Sequence, residues 1–239
     1  MIIVFGGSGL LGSEIINKLL LKNKLIIVGN KRYDELCNDF SGIKNVEQIC
    51  QLNLLNQDKL NIFLEEIVDS NFESINGVVL NFAKTVDTNL SDYSEEVKEL
   101  FDLNYGASAN IFSFFKKKFE QYKSEKCIRI VNILSNSLKT LNASNHHYIS
   151  SKAALESLSK YYAKNFAKRM IINNVAPGLM ESPMTDARFK SVQDSIIKLT
   201  PRGRLTDLSE IAEMVDFLIS QAPRSIIGQT FYVDGGRTI

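Results

Sequence analysis

A chain of 239 residues with 44% hydrophobic and 23% charged side chains has the composition of an ordinary globular protein, long enough to bury a substantial core as one α/β unit. A net charge of +1 excludes bulk attraction to nucleic acid or to an anionic membrane surface. Three cysteines without metal-ligand spacing (Cys37, Cys50, Cys127), an N-terminus with no basic n-region and the lack of any run near the ~18 apolar residues of a membrane span together predict a cytoplasmic protein.

In chain order, Ile2 to Phe5 is a short apolar run that ends at glycine, which predicts a buried parallel strand. A glycine-rich turn follows, Gly6-Gly7-Ser8-Gly9-Leu10-Leu11-Gly12. Apolar residues then recur at helical spacing (Leu11, Ile15, Ile16, Leu19, Leu20), and residues 25–28 form a second apolar strand. A βαβ unit this tight requires parallel strands and a right-handed crossover. The alternation continues. Strands are predicted at 46–54, 76–81, 128–134, 170–176 and 230–233, and helices at 56–68, 94–122, 148–167 and 208–220. The last helix has Thr206 or Asp207 as its cap, with Glu210 close to capping-box position. Residues 183–199 read as a helical insert. The pattern predicts a doubly wound, Rossmann-type α/β fold in a single domain spanning 1–239. Lys116, Lys117 and Lys118 read as a solvated helix end, with a docking patch for an acidic carrier protein as the alternative.

The turn at Gly6, Gly9 and Gly12 sits between a strand and a helix, which is the context a dinucleotide-binding turn requires. Its glycines let the backbone approach a pyrophosphate, and the helix N-terminus offers free N–H groups. A tight turn without ligand is the competing reading. At the end of the second strand, a carboxylate would favour NAD through the ribose 2′-OH. Here the sequence is Gly29-Asn30-Lys31-Arg32, and a lysine and an arginine suit a 2′-phosphate. NADP(H) is therefore expected over NAD(H). Asn53, after the third strand, is a candidate for the adenine edge or a plain turn residue.

The chemistry is expected between Ser135 and Lys152. Ser135 ends an apolar strand, and Tyr148 and Lys152 stand four residues apart, on one face of a helix. A cation beside a phenol favours the phenolate and would bring Tyr148 into range for proton transfer near neutral pH. A surface Tyr and Lys on an amphipathic helix is the alternative. Asn104 falls on the inward stripe of the long helix, where a buried amide must find partners.

Taken together, these motifs resemble the short-chain dehydrogenase/reductase family, in the single-domain branch of the 3-oxoacyl carrier-protein reductases. The resemblance runs from the glycine turn through Asn81-Phe82-Ala83, Asn104, Ser135, Tyr148, Lys152 and Asn173-Asn174-Val175-Ala176-Pro177-Gly178 to Gly228-Gln229-Thr230 and Val233-Asp234-Gly235-Gly236. It implies a seven-stranded parallel sheet of order 3-2-1-4-5-6-7. It also implies a catalytic tetrad of Asn104, Ser135, Tyr148 and Lys152, in which Tyr148 protonates a carbonyl oxygen that Ser135 holds. Lys152 grips the nicotinamide ribose and lowers the Tyr148 pKa, and Asn104 anchors a relay water. Cofactor contacts are implied for Gly6, Ser8, Gly9, Leu10, Leu11 and Gly12, for Asn30, Lys31, Arg32, Asn53 and Leu54, and for Asn81, Phe82 and Ala83. Tyr148, Lys152, Pro177, Gly178, Met180 and Ser182 complete the set. The implied substrate is a small carbonyl or alcohol compound, possibly carrier-bound, and the implied assembly a homodimer or homotetramer.

The chain departs from the pattern in four places. The G-x-x-G-x-x-G spacing is that of the family's extended, sugar-nucleotide-modifying branch, which makes a sugar-nucleotide or polysaccharide-pathway reductase the alternative. Lys84 stands where a glycine is usual, Asn53 where an acid is usual, and Ser182 where a threonine is usual. A dinucleotide-binding protein without turnover is the reading from another class.

Overall fold

The structure, a computed structural model, describes residues 1–86, 92–141, 145–180 and 187–239, with the side chains of 187–189 left aside. Seven strands form one sheet: β1 (Ile2–Phe5), β2 (Leu25–Gly29), β3 (Val46–Gln51), β4 (Gly77–Leu80), β5 (Ile128–Ile133), β6 (Met170–Pro177) and β7 (Thr230–Val233). All neighbours are parallel and the order is β3-β2-β1-β4-β5-β6-β7, as expected. The order reverses between β1 and β4. In doubly wound sheets ligands bind in the crevice outside the carboxyl ends of the strands at that point.

The helices are α1 (Leu10–Leu20), α2 (Tyr33–Phe40), α3 (Gln57–Phe63), α4 (Glu95–Phe101), α5 (Ser108–Tyr122), α6 (Ser137–Thr140), α7 (His146–Asn165), α8 (Ala187–Lys198) and α9 (Leu208–Asp216). They cover both faces of the sheet because its strands are apolar on both. In β1, Ile3 and Phe5 enter a core shared with Ile111, Phe112 and Phe115 of α5, while Ile2 and Val4 enter another shared with Ile15, Ile16 and Leu19 of α1. Burying such a side chain contributes roughly 1.5–3 kcal/mol, so loss of either layer would unfold the sheet.

The long helix expected over 94–122 is continuous but not uniform. Between α4 and α5 it passes through a π-helical segment, Asp102–Ala107, which carries Asn104. Such segments occur often at functional sites. The helix over α2 went unpredicted because its stripe is thin: Leu36 and Phe40 are its buried residues. The cap of α9 is Asp207, whose N–H donates to the Glu210 carboxylate at 3.3 Å.

The lysine run corrects one expectation. Lys118 is not solvated. It is buried on α5, with Nζ 2.7 Å from Glu65 and 3.1 Å from Asp69, and it lies 5.3 Å over the Phe114 ring. Its place on the inward-leaning side of α5 outweighed the polarity of the run, and two carboxylates on the neighbouring turns compensate the charge. No helix among the described residues is long and apolar enough to cross a membrane, and no cluster of metal-ligating residues occurs among them.

Candidate active site

The glycine turn leaves β1 and opens α1. Gly6 has φ +80°, and a Cβ there would fall 1.9 Å from the Asn81 carbonyl oxygen. A Cβ on Gly12 would fall 2.2 Å from the Gly6 carbonyl oxygen. Both glycines are therefore demanded by the packing of the turn itself. Gly9 differs. A Cβ there would meet nothing within 4 Å. Gly9 is the N-cap of α1 and lines an open cleft, and it brings no side chain to satisfy the first N–H groups of the helix. A bare helix N-terminus facing open space suits a pyrophosphate. The Asn81 side chain braces the turn, donating to the Gly6 carbonyl at 3.0 Å.

The cleft encloses about 800 Å³ at the carboxyl ends of β1, β4, β5 and β6. Gly9, Leu10 and Leu11 form one wall, Asn81, Phe82 and Ala83 the floor beside it. Ser135, Tyr148 and Lys152 line the same space, as do Pro177, Gly178 and Met180. Gly6 and Gly12 shape the turn from behind. Asn30, Lys31, Arg32, Asn53 and Leu54 do not line the cleft. They lie beyond the ends of β2 and β3, with Leu54 buried in the core shared with α5. Ser182 lies outside the described residues, as does Asp186 of the insert.

Ser135 follows the end of β5. Its Oγ accepts from the Ser137 hydroxyl at 2.8 Å and from the Ser137 N–H at 3.2 Å. Tyr148 is on the first turn of α7, whose cap, Asn145, accepts from the His147 N–H. Burial pushes the Tyr148 phenol above its ordinary value, and a hydrogen bond with Ser135 acts in the opposite direction. Lys152, one turn on, is buried. Its Nζ donates to the Ile133 carbonyl at 2.8 Å and stands 5.9 Å from the centroid of the Tyr148 ring. Burial lowers the Lys152 pKa to about 8. The expected lowering of the Tyr148 pKa by Lys152 is thus not a property of the chain by itself. In this arrangement desolvation outweighs the cation, which is committed to a backbone carbonyl.

Asn104 is buried behind the cleft, and its side chain makes three hydrogen bonds. Oδ1 accepts from the Lys84 N–H at 2.7 Å, while Nδ2 donates to the Lys84 carbonyl and to Ser151 Oγ, both at 2.9 Å. Ser151 in turn donates to the Tyr148 carbonyl at 2.8 Å. Asn104 therefore ties the strand β4 exit to the first turn of α7. The lysine that replaces the family's glycine is held by its backbone to Asn104 and by its ammonium to Glu99 at 2.6 Å, at the rim of the cleft.

Three residues important to this geometry were not singled out from sequence: Ser137, Ser151 and Ile133, the last acting through its carbonyl. The legible signal was slight. Ser137 stands two residues beyond Ser135, and Ser151 sits beside Lys152 on a helix whose buried stripe is small and polar.

Comparison with known proteins agrees with this geometry. A family described as "Enoyl-(Acyl carrier protein) reductase", with a short-chain alcohol dehydrogenase model, matches residues 26–238. This chain belongs to the short-chain dehydrogenase/reductase family. It is an oxidoreductase of the class that acts on CH–OH and C=O groups. The 3-oxoacyl-[acyl-carrier-protein] reductase of Staphylococcus epidermidis is 30% identical over 240 residues, covering 98% of this chain and 97% of the relative. That of Rickettsia bellii is 28% identical over 236 residues, covering 98% and 95%. Among solved structures, a short-chain dehydrogenase from Bacillus anthracis superposes with a TM-score of 0.84 at 19% identity, covering 100% of this chain and 96% of the other. The structure of ElxO with NADP bound gives 0.82 at 22% identity, covering 99% and 97%. At these identities the structural likeness concerns the fold.

Proposed function

We propose that the chain is a single-domain, NADP(H)-dependent carbonyl reductase that acts on a 3-oxoacyl thioester, with Tyr148 as the proton donor. The observation that carries this reading is the convergence of Ser135, Tyr148 and Lys152 on the cleft that also holds the bare N-terminus of α1. The names of the relatives favour the thioester, and ElxO supplies a precedent for NADP within this fold.

When bound, the dinucleotide supplies the hydride. The chain supplies the rest. Gly9 and the first N–H groups of α1 take the pyrophosphate. Lys31 and Arg32, at the end of β2, take the 2′-phosphate. Pro177, Gly178 and Met180 line the same cleft and would hold the nicotinamide. Ser135 donates to the substrate carbonyl oxygen and fixes its place. Tyr148 gives that oxygen its proton as negative charge develops there. Lys152, one turn beyond Tyr148 and anchored on the Ile133 carbonyl, would hold the nicotinamide ribose. Preplaced donors stabilise a developing alkoxide without reorganising at the moment of reaction. The phenol is neutral at rest, as a proton donor requires, and burial of Tyr148 pushes its pKa further in that direction.

The family match described as an enoyl reductase favours a second substrate, the 2-enoyl thioester, in which a C=C bond is reduced. NADPH oxidation by the purified protein, measured with acetoacetyl coenzyme A, crotonyl coenzyme A and a simple aliphatic ketone, separates the readings. Turnover with acetoacetyl coenzyme A at least tenfold above the other two is expected. Preference for crotonyl coenzyme A would overturn the carbonyl assignment. Preference for the simple ketone would overturn the thioester.

A further inference from the structure

Ser137 belongs to no part of the tetrad, yet it is buried, lines the cleft and makes two bonds to the same atom of Ser135. A serine hydroxyl has one proton to donate and two lone pairs with which to accept. The Ser137 N–H and Oγ–H occupy both lone pairs of Ser135. What is left to Ser135 is its own proton. We propose that Ser137 is a positioning residue that makes the Ser135 hydroxyl an obligate donor toward the Tyr148 oxygen and, in the reaction, toward the substrate oxygen. This rests on the reading of Tyr148 as the acid/base.

The local fold explains why the arrangement is rigid. α6 starts at Ser137, directly after Ser135 and Asn136 leave β5. Asn136 is tied to the neighbouring strand, with its N–H donating to the Pro177 carbonyl at 2.9 Å. The Ser137 carbonyl accepts from the Leu141 N–H at 3.0 Å, which closes the short helix. Ser137 is therefore held from both sides, and it holds Ser135 in turn. Ser137 donates to Ser135, which in this arrangement donates on to Tyr148, and hydrogen bonds in such a chain polarise one another.

Loss of the Ser137 hydroxyl frees one lone pair on Ser135. Ser135 is then able to accept from the Tyr148 phenol instead of donating to it. That reversal holds the proton on Tyr148. The other groups around the phenol are unchanged by the substitution. Lys152 faces it from the same helix, Val97 and Leu100 of α4 pack on it together with Val86, and the Lys84–Glu99 pair lies at the rim of the same cleft.

The test has two readouts. The first needs no substrate: the phenolate absorbance of Tyr148 is titrated as the difference between the protein and its Tyr148→Phe variant, one of eight tyrosines being removed. The second is kcat and KM for acetoacetyl coenzyme A with NADPH across pH. In Ser137→Ala the Tyr148 titration should move to higher pH, and kcat should fall roughly three- to tenfold, the worth of one net hydrogen bond, with KM little changed. Ser137→Thr keeps the hydroxyl and should restore both. Thermal melting of each variant separates misfolding from the effect sought. A titration of Tyr148 that does not move in folded Ser137→Ala overturns the inference, whatever happens to kcat. If Tyr148→Phe itself turns over like the wild type, the reading of Tyr148 fails. If Tyr148→Phe is inactive and Ser137→Ala behaves as wild type, the role of Ser137 alone fails.

Discussion

The two ends of the cleft are built on opposite principles. At the chemical end the side chains of the site are tied to fixed partners. Ser137 holds Ser135, the Ile133 carbonyl holds Lys152, and Asn104 with Ser151 holds the first turn of α7. Asn104, Ser151 and Lys152 are all essentially without solvent exposure. At the end of β2 the reverse holds. Lys31 and Arg32 are exposed, and Arg32 adopts φ +56° at the N-cap of α2. Its guanidinium pairs with Glu35, Nε lying 2.8 Å from the carboxylate, and the side chains are 53% and 57% exposed. Reactivity is thus locked into the interior, where a displaced group would leave a buried partner unsatisfied. In the function proposed above, cofactor choice falls to these surface charges, which solvent screens and which a single substitution changes at little cost to the fold.

The largest effect should come from breaking the locked end. Lys152→Met is expected to reduce kcat/KM roughly 10²- to 10⁴-fold, the usual span for a positioned proton-transfer site. Its stability should respond quite differently. Lys152 has a folded pKa of about 8, below its unfolded value, so its burial disfavours the folded state wherever the ammonium is charged. The unfolded chain binds more protons between about pH 8 and the ordinary lysine range. Stability contributed at this position is therefore lowest below pH 8 and rises as pH increases through that window. The substitution removes about 3 kcal/mol of desolvation cost at neutral pH. It also leaves the Ile133 carbonyl unpaired, at about 1–3 kcal/mol. The melting temperature at pH 7 should accordingly stay within a few degrees of wild type, and the gain in stability between pH 8 and 10 should be smaller in the variant. A variant that unfolds at neutral pH would contradict this balance.

The contrast between the two ends also explains what the sequence revealed. β1, β2 and β4 were legible because both their faces are buried, so each reads as an unbroken apolar run beside a glycine or a polar turn. β3 was the weak one, being an edge strand whose residues are half exposed, and it ended at Gln51, short of Leu54. Tyr148 and Lys152 were legible from a four-residue spacing, and Ser135 from its place at a strand end. The partners that hold them were not. Ile133 acts through a backbone atom that carries no sequence signal. Ser137 and Ser151 are serines with ordinary spacing, and their roles depend on contacts across the fold. The lysine run misled because helix phase, not composition, decides which of three adjacent lysines is buried. Lys118 falls on the side of Phe115 and Phe119, with Glu65 and Asp69 waiting.

The exposed end should give smaller effects. Lys31→Ala with Arg32→Ala is expected to weaken NADPH binding about tenfold while leaving NADH unchanged, measured by nucleotide fluorescence titration. Equal losses for both nucleotides would assign these side chains elsewhere. Glu35→Gln frees Arg32 from its ion pair and should tighten NADPH by no more than about fivefold, as expected for an exposed pair. A loss of NADH affinity in that variant would instead make Glu35 the reader of a ribose 2′-OH, and the cofactor preference proposed above would fall.

The central claim is that Tyr148 delivers the proton while the rest of the cleft binds. A single-turnover measurement tests it most directly: enzyme saturated with NADPH is mixed with acetoacetyl coenzyme A, and the loss of NADPH absorbance is followed for wild type and Tyr148→Phe. The phenyl ring keeps the packing against Val86, Val97 and Leu100 and removes only the hydroxyl. NADPH affinity should remain within about twofold, while the rate of hydride loss should fall roughly 10²- to 10⁴-fold. Equal rates in the two proteins would contradict the account.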